Sequence, residues 1–509
     1  ISGLYSLPRR RRLTEREMVT AAQKPEALDP HDQVETVDAK ALNTRVTGAL
    51  YKKREKIFPR RVAGTFRNLK WVVMAVTLTV YYLAPWLRWD RAGDAPDQAI
   101  LIDIPARRFY FFFIEIWPQE VYYITGILVI AALALFLFTS IAGRVWCGYT
   151  CPQTVWVDLF LIVERFIDGD RNSRMRLETA RWGLAKIFKR VVKHGIWLMI
   201  AALTGGAWVF YFADAPSLLV DLFTLQAGEG AYITVAVLTA TTYSLGGLAR
   251  EQVCTYMCPW PRIQAAMIDE ESLIISYQER RGEPRGRGGQ RDALGDCVSC
   301  NQCVVVCPMG IDIRDGMQLE CISCALCVDA CNSVMDKIGK PRGLIGYNTL
   351  SNFAEGSELK RSDLRLFRPR TIVYGVLIAV VGVIMLAALV TRPSLELNVQ
   401  RDRNPLFVNL SSGDIRNGYT VKILNKLHDT RQFRLQVDGL KAAKIRVIGR
   451  EDGAALFTVK PDRLASFRVL IATPKASLKD ETTDIRLRVI DAENGTTAHN
   501  DTVFRGPKP

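Results

Sequence analysis

The sequence predicts a multidomain membrane protein with a five-helix α-helical transmembrane bundle, a cysteine-rich cytoplasmic insert and a C-terminal β-sandwich. Three observations lead to this fold class. Hydrophobic residues make up 49% of the 509 residues and are gathered into blocks. Eight of the twelve cysteines fall between positions 297 and 331. After position 392 the sequence changes to short alternating runs, which are typical of antiparallel strands.

We therefore divide the chain into five segments. They are a basic cytoplasmic N-terminal segment (1–69), four transmembrane helices (70–250), a cytoplasmic cysteine-rich segment (251–370), a fifth helix (371–391) and a periplasmic domain (392–509). About the first 50 residues are polar and weakly patterned, so we expect them to be mobile.

Five apolar stretches are long enough to cross a membrane. A hydrocarbon core of about 30 Å requires roughly 20 apolar residues in a helix. None of the stretches has a Lys, Arg, Asp or Glu in its interior. They run from Trp71 to Leu87, from Val121 to Ala142, from Gly195 to Ala213, from Ala231 to Ala249 and from Ile372 to Val390.

The distribution of basic residues predicts the orientation of these helices. Arg and Lys are abundant in the N-terminal segment and between Arg144 and Lys193, whereas the loop 214–230 has none. We therefore expect a protein of the bacterial inner membrane. By the positive-inside rule, its N-terminus and residues 250–370 lie in the cytoplasm and its last domain lies in the periplasm. The net charge of +15 is then explained by topology and contact with anionic membrane lipid, so we expect no nucleic-acid partner.

The eight clustered cysteines form two runs with the spacing C-x2-C-x2-C-x3-C. This spacing is the ligand pattern of a bacterial-type dicluster ferredoxin, here at about residues 290–340, and predicts two [4Fe-4S] clusters. In that arrangement the last cysteine of each run binds the other cluster. One ligand set is Cys297, Cys300, Cys303 and Cys331, and the other is Cys321, Cys324, Cys327 and Cys307. A pair of structural zinc sites is the less favoured alternative, since zinc sites do not need such triplets.

The ends of the two runs differ. Pro308 follows the first run, as the ferredoxin pattern expects, but Asn332 follows the second. The substitution leaves the thiol ligands intact and makes the local turn after Cys331 harder to predict.

The remaining four cysteines form two C-x3-C-P motifs, Cys147 with Cys151 and Cys254 with Cys258. Each motif follows the cytoplasmic end of a predicted membrane helix, so the two motifs are expected to face each other. If each pair lies on a helical turn, its two thiols share one face. Thiolates are soft ligands for Cu(I), zinc or an iron-sulfur cluster, and Met257 could add a thioether. Ordinary packing of small side chains at helix ends remains the alternative.

The C-terminal segment predicts about seven or eight short strands, which indicates an immunoglobulin-like β-sandwich. It contains no Cys and no Met. Metal chemistry is therefore expected on the cytoplasmic side, and this domain is expected to dock a partner or pack on the membrane face.

These features together resemble the family of the cytochrome c oxidase accessory protein CcoG, also called FixG or RdxA. The resemblance rests on WCGYTCPQTVW, CTYMCPWPRIQ, the ferredoxin runs and the C-terminal domain, and it covers the chain from about residue 50. It implies a membrane oxidoreductase that reduces Cu(II) to Cu(I) during maturation of a cbb3-type cytochrome oxidase. Copper exporters or copper chaperones would be partners, and the four C-x3-C-P cysteines would bind copper or donate the electron.

Two other functions fit the same motifs. One is a quinol-oxidising relay of the kind found in nitrate and nitrous oxide respiration, which would require a quinone pocket in the helical bundle. The other is an oxidase assembly scaffold whose clusters are only structural. The sequence leaves the electron donor open, and a homodimer is compatible with it.

Overall fold

The computed structural model describes residues 34–42, 55–91, 95–286, 294–355, 365–427, 429–449, 455–461, 463–478 and 480–507. They divide into two units. The first takes in residues up to Leu83, Ile127–Val209 and Asp221–Ala379, and the second takes in Ala84–Gly126, Phe210–Val220 and the chain from Val380 onward. The basic run Arg9–Arg12 lies outside the described residues.

The α-helices in chain order are α1 (Thr65–Leu83), α2 (Tyr122–Ala142), α3 (Val145–Tyr149), α4 (Pro152–Asp168), α5 (Arg171–Thr179), α6 (Leu184–Val209), α7 (Ala215–Thr224), α8 (Glu229–Thr242), α9 (Trp260–Met267), α10 (Glu279–Gly282), α11 (Gln302–Val305), α12 (Leu326–Lys337), α13 (Leu350–Glu355) and α14 (Pro369–Val390). Two π-helical segments, Tyr243–Ala249 and Val253–Met257, follow α8. Short 3-10 turns occupy Ala84–Trp86, Pro118–Glu120, Ile313–Asp315 and Lys475–Ser477.

The strands are β1 (Ile100–Asp103), β2 (Arg108–Phe111), β3 (Ile114–Ile116), β4 (Ile274–Tyr277), β5 (Ile345–Asn348), β6 (Leu395–Arg401), β7 (Val408–Asn409), β8 (Asp414–Asn425), β9 (Arg431–Asp438), β10 (Lys444–Val447), β11 (Leu456–Val459), β12 (Arg463–Pro474), β13 (Thr482–Asp491) and β14 (Thr497–Arg505). Every pairing between them is antiparallel.

Four helices within the described ranges are long and apolar enough to cross a membrane, which is consistent with a membrane protein. They are Thr65–Trp86, Pro118–Ala142, Glu229–Ala249 and Pro369–Val390. The predicted count of five is not confirmed. The stretch from Gly195 forms the second part of α6, but Lys186, Lys189, Arg190 and Lys193 make the first part of that helix basic and shorten its apolar portion.

The cysteine-rich region of the first unit is a compact module. Strands β4 and β5 pair in the register Ile274↔Asn348, and the two cysteine runs lie between them in the chain. Helix α12 also caps α1, because the Asp329 carboxylate accepts hydrogen bonds from the backbone amides of Phe66 and Arg67 at 3.2 and 2.7 Å. The second run is thereby fixed to the start of the first apolar helix.

An N-terminal strap, Val34–Leu42, packs on the first cysteine run. Val34 is 3% exposed and belongs to the apolar core that contains Cys297, Cys303 and Cys331. The amide of Val37 donates to the Cys300 carbonyl at 3.2 Å. The expectation of mobility is therefore wrong for these residues, because their few apolar side chains and backbone amides find partners only in the folded module.

The second unit contains the C-terminal β-sandwich. One sheet has the order β10-β12-β8-β6, with β7 also paired to β8, and the other has the order β11-β9-β13-β14. Inward-facing side chains alternate along the strands, and Tyr419, Phe433, Phe457 and Phe504 are fully buried between the sheets. The predicted immunoglobulin-like sandwich is confirmed.

Candidate redox site

Four thiols of the first cysteine set line one small cavity: Cys297, Cys300, Cys303 and Cys331. The last of these comes from α12 in the second run, and the other three come from the first run. Burial, followed by repulsion from Cys300 and Cys297, raises the pKa of Cys331 to about 12. The chain therefore brings the end of one run to the beginning of the other.

The second set lines a separate small cavity. Cys307, Cys321, Cys324 and Cys327 border it, and Cys303 also reaches it from the first set. Burial, followed by repulsion from Cys324, raises the pKa of Cys307 to about 12. Each run therefore contributes its last cysteine to the cavity of the other run.

The backbone adopts the same unusual conformation in both runs. Ser299 and Asn301 flank Cys300 with φ of 49° and 58°, and Ser323 and Ala325 flank Cys324 with φ of 52° and 56°. Such left-handed residues turn backbone amides toward a common centre. The Ser323 amide lies 3.4 Å from the Cys321 sulfur, so these amides can donate to thiolates.

The two cavities fit iron-sulfur clusters by the chemistry of their donors. Across the described ranges, no group of three or more His, Cys, Asp or Glu side chains is arranged to hold a metal ion. A cubane differs from a single ion because its four thiolates bind four separate iron corners. Buried thiols whose pKa is raised also need a positive partner to become thiolates, and iron provides one.

Asn332 is explained by the helix in which it lies. Helix α12 continues to Lys337, so a proline after Cys331 would remove an interior backbone donor. The first run has no such continuation, because α11 ends at Val305 before Pro308. The Asn332 side chain instead accepts a hydrogen bond from the Gly343 amide at 3.0 Å.

Each C-x3-C-P motif forms a short helical turn followed by an extended cysteine. Cys147 lies in α3, Cys151 is extended with ψ of 128°, and Pro152 begins α4. The second motif repeats this pattern, with Cys254 in a π turn and Cys258 extended with ψ of 122°. The expectation that both cysteines of a pair share one helical face is therefore wrong, because the chain leaves the helix before the second cysteine.

The two C-x3-C-P motifs lie near each other. Burial, followed by repulsion from Cys151, Cys254 and Cys258, raises the pKa of Cys147 to about 12. Burial and the nearby Cys151 and Cys258 raise the pKa of Cys254 to the same value. Four thiols from segments about a hundred residues apart thus influence one another.

The first motif also packs directly on the second cysteine run. A Cβ added at Gly148 would lie 2.6 Å from the Ile322 carbonyl oxygen, and the Tyr149 hydroxyl donates to the Cys324 carbonyl at 3.2 Å. The buried Arg144 guanidinium donates to the Cys321 carbonyl at 3.2 Å. Cys147, Cys324 and Cys254 consequently share one apolar cluster.

Comparison with known proteins agrees with this geometry. Residues 249–350 match the model of a 4Fe-4S dicluster domain, residues 124–167 match a 4Fe-4S binding domain, and residues 385–507 match the model of the immunoglobulin-like fold at the C-terminus of FixG. The chain is 55% identical over 474 residues to the nitrogen fixation protein FixG of Rhizobium meliloti (strain 1021), covering 86% of this chain and 90% of that protein. The chain belongs to the FixG family.

Two other relatives match this FixG-family chain over almost their whole length. Protein RdxB of Cereibacter sphaeroides is 54% identical, with 90% of this chain and 98% of RdxB covered. Protein RdxA of the same organism is 51% identical, with 90% and 99% covered. The predicted family is confirmed, and the chain is an iron-sulfur protein with ferredoxin-type domains suited to electron transport.

Two residues of this FixG-family site were not predicted from sequence. Gln264 is fully buried, accepts a hydrogen bond from the Cys147 thiol at 3.0 Å and donates to Thr139 at 3.2 Å. Arg144 is the other, and its position three residues before Cys147 was the available signal. Met257 is 62% exposed and lies outside the apolar cluster that contains Cys147 and Cys254.

Proposed function

We propose that this protein is a membrane-bound iron-sulfur oxidoreductase that reduces Cu(II) to Cu(I) on the cytoplasmic side of the bacterial inner membrane. The reduced copper would serve assembly of a cbb3-type cytochrome oxidase, with its maturation machinery and a copper exporter or copper chaperone as partners. The observation that carries the proposal is the contact of the Cys147 motif with the second cysteine run, through Arg144, Gly148 and Tyr149.

Cys147, Cys151, Cys254 and Cys258 supply the chemistry toward copper. Thiolates bind Cu(I) in preference to Cu(II), so a site built from them favours the uptake of one electron by each bound Cu(II). The four thiols are not a ready-made ion cage, and binding therefore requires rotation of their side chains. Gln264 holds the Cys147 thiol as hydrogen-bond acceptor until copper displaces the proton.

Eight cysteines would hold the two clusters. Cys297, Cys300, Cys303 and Cys331 would bind the first, and Cys321, Cys324, Cys327 and Cys307 would bind the second. A bound [4Fe-4S] cluster stores and releases one electron at a time. The protein's own contribution is to exclude water with apolar walls and to direct backbone amides at the sulfurs, as at Ser323.

The test is the double variant Cys147→Ala/Cys254→Ala in the full-length protein purified without oxygen. After reduction with dithionite and removal of the excess, wild-type protein should reduce Cu(II), measured with a Cu(I)-specific chelator. The variant should lose this activity while its visible cluster absorbance remains. Tyr256→Phe, at an exposed side chain in the same motif, is the matched control and should behave as wild type.

Full Cu(II) reduction by the double variant would overturn the copper role of these thiols. An oxidase that still assembles in cells carrying a cluster-free variant would favour the scaffold function instead.

A second candidate for the four thiols is a third iron-sulfur cluster. It is favoured by the match of residues 124–167, which contain Cys147 and Cys151, to a 4Fe-4S binding domain. Iron and sulfide analysis separates the two, since two clusters contain about eight irons and three contain about twelve.

A further inference from the structure

A large cavity lies where helix α6 changes from basic to apolar residues. It measures about 660 Å³. Helix α6 carries four basic residues up to Lys193 and none from His194 to its end at Val209, and His194 and Trp197 line the cavity at this change. On the other side of the cavity, Gly247 and Leu248, near the end of the apolar helix Glu229–Ala249, contribute to the lining. A molecule dissolved in the bilayer could therefore enter from the apolar side.

The cationic side chains of this cavity already have partners. Lys193 pairs with Asp168 at 2.8 Å, Arg250 pairs with Glu164 at 2.9 Å, and Arg190 and Lys56 pair with Glu178. Lys186 donates to the carbonyl oxygens of Glu178 and Ala180. An anionic headgroup would have to break these pairs, so the charges do not favour a phosphate ligand.

Apart from the carboxylate of Glu251, the rest of the lining is aromatic and apolar, with one histidine. Trp182, Phe58, Ile57 and Leu248 contribute walls, and Trp197 is fixed by stacking on Phe160 at 5.5 Å between ring centroids. His194 Nδ1 bonds the Tyr243 hydroxyl at 2.9 Å, which leaves Nε2 without another partner in the part of the chain that the structure describes. Such a site suits a flat apolar ring with one polar oxygen.

The same cavity borders a path toward the thiols. Ile57, Arg250 and Glu251 also line a second cavity, whose other wall contains Cys254, Pro308 and Ile322. Pro308 and Ile322 directly adjoin Cys307 and Cys321 in the chain. The two cavities thus share a wall, with the candidate ring site on one side and the redox site on the other.

We infer that the cavity around His194 and Trp197 binds a membrane quinol, which supplies the electrons for copper reduction. The inference rests on the proposed function, which requires an electron donor. Oxidation of one quinol breaks two O–H bonds and yields a quinone, two protons and two electrons. The protons leave through His194 Nε2 to water, and the two iron-sulfur clusters accept one electron each.

The protonation state of His194 agrees with its role as the acceptor of the quinol's protons. Burial, followed by the charges of Lys193 and Arg190, lowers the pKa of His194 below its ordinary value. The imidazole is therefore neutral at neutral pH. In the tautomer whose proton is on Nδ1 and is donated to the Tyr243 hydroxyl, Nε2 can accept a proton from the quinol.

The experiment measures binding and electron transfer separately in the full-length protein in detergent. Decylubiquinone binding is measured by equilibrium dialysis, and decylubiquinol oxidation is followed by bleaching of the visible cluster absorbance. His194→Leu should weaken binding and slow bleaching about tenfold, because it removes the hydrogen-bonding group. Leu248→Trp, at a side chain that is 47% exposed in the cavity wall, should have the same effect by filling the cavity.

The matched control is His499→Leu on the exposed face of the β-sandwich, which should bind and bleach as wild type. Dithionite should bleach the clusters fully in all variants. Wild-type binding and bleaching in both cavity variants would overturn the inference, as would failure of decylubiquinol to bleach the wild-type clusters. Copper reduction by dithionite-reduced protein tests the proposed function independently. If only that reaction fails, the quinol site stands and copper is the wrong acceptor.

Discussion

Gly148 allows the first thiol motif to approach the second cysteine run at backbone distance. A Cβ atom at this position would lie 2.6 Å from the Ile322 carbonyl oxygen and 3.0 Å from the Cα of Cys324. Both neighbours are backbone atoms, which cannot rotate away as a flexible side chain could. The residue therefore controls the contact between the copper-binding thiols of the proposed function and the second cluster set.

We expect Gly148→Ala to separate these two parts of the site. The added methyl group must displace one backbone segment, at a cost of about 1–3 kcal/mol. Thermal unfolding should occur at a lower temperature, and Cu(II) reduction should slow more than cluster absorbance falls. Gly206→Ala is the control, since a Cβ there meets no atom within 4 Å. Equal behaviour of the two variants would contradict this role.

The raised pKa values of Cys147 and Cys254, both about 12, predict how copper affinity depends on pH. Both thiols are protonated at neutral pH, and Cu(I) binding must displace those protons. Affinity should therefore rise with pH, about 100-fold per pH unit between about pH 6 and pH 8 when both thiols bind. Competition with a Cu(I) chelator of known pH dependence measures it. A flat profile in wild-type protein would rule out these thiols as ligands.

At the scale of elements, the N-terminal strap covers the first cysteine run. Besides the Val37 amide, the Leu42 amide donates to the Gly310 carbonyl at 2.8 Å, and the Asn301 side chain donates to the Val37 carbonyl at 3.0 Å. The strap thus contacts the chain within this run, at Cys300 and Asn301, and just after it, at Gly310. Its expected effect is to keep water and oxygen from the first cluster set.

Val34→Asp should loosen the strap. Burial of a valine side chain is worth about 1.5–3 kcal/mol, and replacing it with a carboxylate forfeits that burial. The fraction of molecules in which the strap is detached from the first cysteine run should rise about tenfold or more. In air, the cluster absorbance should decay correspondingly faster than in wild type. Asp38→Ala, at an exposed position in the same strap, should decay at the wild-type rate. If Val34→Asp decays equally slowly, the strap does not protect the cluster.

Helix α12 contributes both to the first cysteine cavity and to the cap of helix α1. Its Cys331 faces the first cavity, and its Asp329 caps the first apolar helix through two backbone amides. The missing proline after Cys331 is a consequence, because a helix that must continue to Lys337 needs its interior amides. Ferredoxin spacing alone could predict the thiol but not the length of the helix that carries it.

For the whole molecule, the proposed topology can be tested by fusions to reporter enzymes. The basic loops predict that the N-terminus lies in the cytoplasm and the β-sandwich in the periplasm. Alkaline phosphatase fused after residue 507 should be active, because it folds only outside the cytoplasm, and the same enzyme inserted at position 287 should be inactive. The reverse pattern, or activity at both positions, would refute the orientation.

The predicted count of five membrane helices is not confirmed, since four helices within the described ranges are long and apolar enough. Length and hydropathy identified α1, α2, α8 and α14 as apolar helices, and the structure agrees in each case. Helix α6 differs because four basic residues shorten its apolar portion, and one of them, Lys193, is held inside the protein by ion pairs with Glu164 and Asp168. Ion pairing from a distant segment is invisible to a local hydropathy pattern.

Local patterns in the sequence were enough to predict the thiols of each run, the apolar helices and the alternating strands of the sandwich. Each of these depends on residues within a few positions of one another. Only the tertiary structure shows that the two C-x3-C-P motifs lie near each other and that Gly148 contacts the second run. It also shows that the cavity of His194 shares a wall with the cavity that Cys254 lines. These contacts join segments between about 60 and 175 residues apart, and only packing of the whole module selects them.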